Sequence, residues 1–169
     1  LEALKYARKK GAKSVAVINV KGSSIARESD YVMYTVAGPE IAVASTKAYT
    51  TQLAVFYLIV ARMAHSRGVY TTEETQCFIR ELQRTPDVMK QVLEKRRDIH
   101  VLANNVLAAK DLFMIGRGLD YSILLEGSLK LKEVSYIHSE AYASGELKHG
   151  PIALITQDTP VVAAVTQTK

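Results

Sequence analysis

The chain has 169 residues, of which 48% are hydrophobic and 23% charged, so it can bury a core and is neither disordered nor fibrous. A net charge of +5 favours an anionic partner, but the Lys and Arg residues are dispersed. The absence of a basic patch interleaved with aromatic residues, or of a reading motif, argues against nucleic acid as that partner.

The first half of the chain alternates helical and extended patterns. Its predicted elements are a helix over 1–10, a strand over 14–20, a short helix over 25–29, a strand over 31–36 and a long helix over 45–65. Ser45 or Thr46 is the predicted N-cap of the long helix. The first helix has no capping residue ahead of it, which suggests a piece of something longer.

The second half begins with helices and returns to alternation. Its predicted elements are a helix over 73–83, a helix over 87–97 opened by Thr85-Pro86, a strand over 112–115, a helix over 123–137 and a strand over 161–165. Gly116-Arg117-Gly118 is interpreted as a tight turn. The alternation predicts an α/β fold with a doubly wound parallel sheet and flanking helices.

Three charged residues of the predicted 123–137 helix share one face. Glu126, Lys130 and Glu133 are spaced i, i+4, i+7 and have apolar neighbours on both sides. They form either a surface ion pair between Glu126 and Lys130 or a proton-transfer site. A separate polar sector is the predicted solvent face of this helix: Ser128, Lys132 and Ser135.

His149 lies in a glycine-flanked segment, between Gly145 and Gly150-Pro151. It is either an exposed loop residue or an imidazole that the tight backbone presents for acid/base work. Its occurrence together with the charged helix favours the second interpretation.

Three segments carry a resemblance to a known family: 43–53 (VASTKAYTTQL), 125–133 (LEGSLKLKE) and 139–151 (SEAYASGELKHGP). They closely resemble the isomerase half of the glutamine:fructose-6-phosphate aminotransferases, which consists of two sugar isomerase (SIS) domains of flavodoxin-like fold. The resemblance implies that residues 1–68 are the end of the first SIS domain. Residues 69–169 are then a helical connector and the start of the second.

The resemblance also implies a reaction, in which fructose 6-phosphate and ammonia from glutamine give glucosamine 6-phosphate. Glu133 would be the base that moves a proton between C1 and C2, His149 would open the sugar ring, and Lys130 would stabilise an enediolate-like oxygen. The implied substrate-binding residues are Val43, Ser45, Thr46 and Glu126. A sugar phosphate also suits the positive net charge. Neither a metal nor a cofactor is expected.

The implied partners are a glutaminase domain on the same longer chain and a second copy, in a homodimer whose neighbouring subunit uses His149. We expect neither nucleic acid nor a membrane as partner, and no activity from these residues alone. Two other hypotheses stay open: a non-catalytic SIS module that binds a phosphosugar as a regulatory ligand, and a related phosphosugar deglycase.

Two features of the sequence bear on the cellular compartment of the protein. Cys77 is the only cysteine and fits a structural thiol in a reducing compartment. The apolar run over 53–64 contains Arg62 and is too short to cross a bilayer. We therefore expect a cytoplasmic protein.

Overall fold

Two separate parallel sheets organise the chain in the computed structural model, which describes residues 1–167. The contacts divide the chain into two units, Leu1–Gln91 and the residues from Val92 onward. This division falls inside a helix, later along the chain than the predicted domain boundary at 68/69. That boundary concerns the two domains of the family and stays a prediction.

The first unit contains a parallel pair of strands and the helices that accompany them. Its elements are α1 (Glu2–Lys9), β1 (Val15–Ile18), α2 (Ser24–Glu28), β2 (Tyr31–Tyr34), α3 (Lys47–Ser66) and most of α4 (Thr72–Glu94). The strands pair in parallel from Val15↔Tyr31 to Ile18↔Tyr34. Each predicted element of residues 1–66 is therefore confirmed, with ends that differ by a few residues.

Asn19, just after β1, fixes the path of the chain beyond β2. Its side-chain oxygen accepts hydrogen bonds from the Thr35 hydroxyl at 3.2 Å and the Ala37 N–H at 2.9 Å, and its amide donates to the Gly38 carbonyl at 2.6 Å. This side chain satisfies backbone groups that have no sheet partner. It thereby holds the start of the loop that leads to Val43 and Ser45.

The second unit is built on a sheet with the order β4-β3-β5, parallel throughout. After the end of α4, its elements are α5 (Arg96–Asn104), β3 (Asp111–Gly116), α6 (Leu119–Ser135), β4 (His138–Ala143), two 3₁₀ turns (Leu147–His149 and Pro151–Leu154) and β5 (Val161–Ala163). Leu112, Phe113 and Met114 of the central strand form its buried apolar core. The predicted parallel α/β architecture is confirmed.

Gly116 lets α6 lie directly against the end of β3. A Cβ at this position would stand 2.7 Å from the Tyr121 nitrogen and 2.8 Å from the Asp120 carbonyl carbon, both of them backbone atoms. Such distances are far below van der Waals contact, so only glycine permits this approach. The interpretation of Gly116-Arg117-Gly118 as a turn agrees with this packing.

Pro86 does not start a new helix, and that prediction is wrong. Helix α4 runs without interruption from Thr72 to Glu94 with Pro86 inside it. Pro86 removes one backbone hydrogen bond from the helix. The helix also contacts α3, where the Tyr57 and Phe78 ring centroids are 6.1 Å apart.

Strand β4 and the burial of Ser128 differ from the sequence interpretation. The strand has small residues on alternate positions, Ser139, Ala141 and Ala143, and therefore lacks the β-branched signature of a strand. The sequence predicts Ser128 on the solvent face of its helix, but Ser128 is 2% exposed. The reason is its partner on β4, Ser139, which the periodicity of one helix cannot indicate.

No helix among residues 1–167 combines the length and the apolar character that crossing a membrane requires.

Candidate active site

Lys130 lies between two carboxylates on one face of α6. Its Nζ is 2.6 Å from Glu133 Oε2 and 3.5 Å from Glu126 Oε1. Helical periodicity places the three residues, here called the α6 stripe, one turn apart along this face. Their side chains are 22% to 25% exposed, so the stripe is partly shielded from solvent.

The closer partner of Lys130 is Glu133, whereas the surface ion pair considered from the sequence joins it to Glu126. The hydrogen bond to Glu133 raises the pKa of Lys130 above its ordinary value of 10.5, against the opposing effect of burial. The two negative charges add to that increase. Lys130 is therefore a cation at neutral pH, placed to hold the Glu133 carboxylate or to stabilise an oxyanion.

The packing of α6 on the sheet sets the direction in which the stripe points. Ser128, buried against β4, lies about 140° to 160° around the helix from the stripe at about 100° per residue. A Cβ on Gly127 would be only 3.6 Å from Met114 Sδ on β3. The stripe consequently lies on the side of α6 that faces away from its own sheet.

His149 ends the 3₁₀ turn Leu147–His149 and is exposed. Its backbone N–H donates to the Glu146 carbonyl at 3.0 Å. Gly150 follows with φ +142°, a conformation that favours glycine, and Pro151 opens the next turn. Within residues 1–167, no hydrogen bond or ion pair joins the His149 side chain to the α6 stripe. The imidazole is presented outward, and its role stays a prediction.

The predicted sugar-binding residues of the first unit lie at the start of α3. Val43 is 90% exposed, Ser45 is partly buried, and Thr46 occupies the N-cap position. The hydroxyl of Thr46 makes no capping hydrogen bond. Instead, its N–H donates to Glu40 Oε1 at 2.6 Å. The Thr46 hydroxyl therefore does not cap α3 within residues 1–167, and the binding role of Ser45 and Thr46 stays a prediction.

One residue in each unit makes a contact that the sequence does not predict. Glu40 supplies the acceptor at the start of α3, and its second oxygen, Oε2, is buried without a hydrogen-bond partner among the described residues. Ser139 is the buried partner of Ser128. Neither follows a capping or catalytic spacing rule, since each acts through a loop or a second element. Among residues 1–167, no group of three or more His, Cys, Asp or Glu side chains could hold a metal ion.

The two segments that match a known family each contain one of the two sheets. The SIS domain family matches residues 1–62 and 106–168, which together include most of the chain and contain the strands of both units. The chain belongs to the SIS domain family.

Two similar proteins from different bacteria have the same name. A glutamine:fructose-6-phosphate aminotransferase (isomerizing) from Clostridium tetani is 54% identical over 167 residues, which cover 99% of this SIS chain and 28% of that protein. An aminotransferase of the same name from Thermus thermophilus is 48% identical, with the same shares of both chains. The chain thus spans little more than a quarter of these relatives.

A solved structure supports the same relationship. The C-terminal domain of glucosamine-fructose-6-phosphate aminotransferase from Francisella tularensis is 41% identical, with a TM-score of 0.90 over 99% of this SIS chain and 48% of that chain. The resemblance predicted from the three sequence segments is therefore confirmed.

Proposed function

We propose that this chain is the sugar-isomerase part of an aminotransferase that makes glucosamine 6-phosphate from fructose 6-phosphate and ammonia derived from glutamine. The observation that best supports this proposal is the α6 stripe, in which Lys130 Nζ lies 2.6 Å from Glu133 Oε2. The 54% identity to a named aminotransferase supports assigning that site to this reaction.

The reaction needs a base beside the sugar carbons and a group that serves the ring oxygen. After ring opening and imine formation at C2, a proton leaves C1 and a proton is delivered to C2, so the step is an isomerisation without net oxidation. We assign this transfer to Glu133 and the protonation of the ring oxygen to His149. Lys130, a cation beside Glu133, stabilises negative charge on the oxygen of the intermediate.

The remaining site residues are assigned to substrate binding. At the start of α3, the backbone of Val43 and the hydroxyls of Ser45 and Thr46 offer hydrogen bonds to sugar oxygens. In this proposal Glu126 binds a sugar hydroxyl from the other end of the α6 stripe. The positive net charge of the chain suits a phosphorylated substrate.

The wider assembly belongs to the same proposal. The chain covers 28% of a relative named as a glutamine-dependent enzyme, which leaves room for a glutaminase domain on the same polypeptide. We propose a homodimer in the cytoplasm, with residues 1–68 in the first SIS domain and 69–169 entering the second.

Product analysis tests the proposed function. The complete aminotransferase polypeptide is incubated with fructose 6-phosphate and glutamine, and the sugar products are separated and identified by mass. Glucosamine 6-phosphate in wild type and its loss in Glu133→Gln support the proposal. A sugar that binds without conversion would indicate a regulatory module, and breakdown of a glycated amine would indicate a deglycase.

A further inference from the structure

Ser128 of α6 and Ser139 of β4 form a buried pair behind the α6 stripe. Their exposed fractions are 2% and 0%. Ser128 Oγ donates to the Ser139 carbonyl at 2.9 Å, and Ser139 Oγ donates to the Ser128 carbonyl at 2.8 Å. Each hydroxyl has one proton, so these two reciprocal bonds use both donors.

The pair joins α6 to β4, whereas α6 meets the neighbouring strand β3 through small or apolar groups. At the contact with β3, Gly127 approaches Met114, and Gly116 approaches the backbone of Asp120 and Tyr121. Such contacts are non-directional and tolerate a small rotation of a helix about its axis. Hydrogen bonds depend on angle as well as distance, so the serine pair favours one rotation of α6.

We infer that the serine pair positions the α6 stripe by fixing the rotation of α6 on its sheet. The inference rests on the proposed function, because it gives Ser128 and Ser139 a role through Glu133 and Lys130. Neither serine touches substrate, since both are buried between α6 and β4. They are positioning residues.

The geometry gives the rotation a large effect at the stripe. Side-chain ends lie about 5 to 6 Å from a helix axis, so a rotation of about 10° moves the Glu133 carboxylate by about 1 Å. A displacement of about 1 Å in a catalytic group can cost as much as ~10²-fold in rate. Because Lys130 lies on the same helix, it moves together with Glu133, and their ion pair does not oppose the rotation.

The test compares Ser128→Ala, Ser139→Ala and the double variant in the complete aminotransferase. Each single variant keeps one of the two hydroxyl-to-carbonyl bonds, so we expect a loss of about 2- to 3-fold in kcat for exchange of the C1 and C2 protons with solvent. The double variant loses both bonds, and we expect a loss of about 10-fold or more. KM for fructose 6-phosphate should change less than kcat, because the groups assigned to sugar binding at the start of α3 are unaltered and only Glu126 moves with α6.

Phe113→Leu is the matched control for a loss of packing in the same sheet. Phe113 is 3% exposed and stacks on Tyr142, with ring centroids 5.8 Å apart. It points to the opposite face of β3 from Met114, so its truncation destabilises the sheet without touching the interface with α6. We expect reduced thermal stability and an unchanged kcat.

The two proposals fail in different ways. A double serine variant that folds and exchanges C1 and C2 protons at the wild-type rate, while Glu133→Gln is inactive, overturns the positioning role alone. A kcat that falls equally in Phe113→Leu also overturns it, because the effect would then be one of general stability. Full exchange in Glu133→Gln would contradict the proposed function itself. If the double variant does not fold, the graded losses of the single variants decide the question.

Discussion

Lys130 donates a hydrogen bond to Glu133 across 2.6 Å, one helical turn along the same face of α6. This pair holds a carboxylate in place beside a cation, and the proposed chemistry requires the carboxylate to accept a proton.

Glu133→Gln should therefore stop proton transfer while leaving the shape of the site intact. Loss of a general base costs about 10² to 10⁴ in rate. The measurement is exchange of the C1 and C2 hydrogens of fructose 6-phosphate with tritiated water, together with the affinity for the sugar. Glu126→Gln, whose oxygen is 3.5 Å from Lys130, is the control and should lose less. Wild-type exchange in Glu133→Gln would exclude Glu133 as the base.

His149→Ala should slow conversion of cyclic fructose 6-phosphate more than that of an open-chain analogue, because the proposed task of the imidazole is ring opening. The expected difference is about 10²-fold, the lower range for one acid/base group. Rates with the two substrates, measured side by side, give the answer. Equal losses on both would assign His149 to a different step.

Mixed dimers test whether subunits share sites. The His149 imidazole is exposed and has no described contact with the α6 stripe, as expected if it serves a neighbouring subunit. Glu133→Gln and His149→Ala subunits, each inactive alone, should regain up to about a quarter to a half of wild-type activity on mixing if function depends on pairing intact residues across the interface. Verified heterodimers without recovered activity would argue against shared sites.

Asp120 should make the stability of the second unit sensitive to acid. Its carboxylate accepts hydrogen bonds from the side chain of Thr166 and, at 3.0 Å, from the Thr166 N–H, which lower the pKa of Asp120 below its ordinary value of 3.8. A lowered folded-state pKa means that the stabilisation is present above pH 3.8 and lost as the pH falls through the folded-state pKa.

The stability difference between wild type and Asp120→Asn should accordingly be constant near neutrality and shrink below about pH 4. Urea unfolding at a series of pH values measures it. A difference that grows in acid would contradict this assignment.

Tyr136→Gly should stabilise the end of α6. Tyr136 follows the last residue of the helix with φ +62° and ψ 8°, the left-handed conformation, and its side chain is 91% exposed. Glycine adopts this conformation without the penalty of a Cβ, so we expect a gain of about 0.5 to 1 kcal/mol in the free energy of unfolding. Tyr136→Ala loses the same ring but keeps the Cβ, and it should give no such gain in denaturant unfolding.

The sequence predicts features that depend on one element and misses those that need two. Helical spacing alone is enough to group Glu126, Lys130 and Glu133, and the structure brings them together. The same helical spacing predicts Ser128 on the solvent face, because a polar side chain gives no sign that a buried carbonyl on a neighbouring strand accepts its hydrogen bond. Glu40, which accepts from the Thr46 N–H, escaped for a similar reason, since its contact crosses an irregular loop.

Local propensity also failed where tertiary packing decided the outcome. Pro86 indicates a helix start, yet α4 continues through it and packs on α3. The β4 segment lacks strong strand formers, but its backbone pairs with all six residues of β3, from Asp111↔His138 to Gly116↔Ala143. In both cases interactions between elements outweigh the preference of single residues.

The close approach at Gly116 limits how far α6 can move on its sheet in this SIS chain. Any side chain there collides with the backbone of α6 rather than with a flexible neighbour, so compensation requires moving the whole helix. Moving the helix displaces Lys130 and Glu133 together. Under the proposed function, exchanging residues on the exposed face of α6 alters the site without this collision, so the helix backbone is the part of the site that resists redesign.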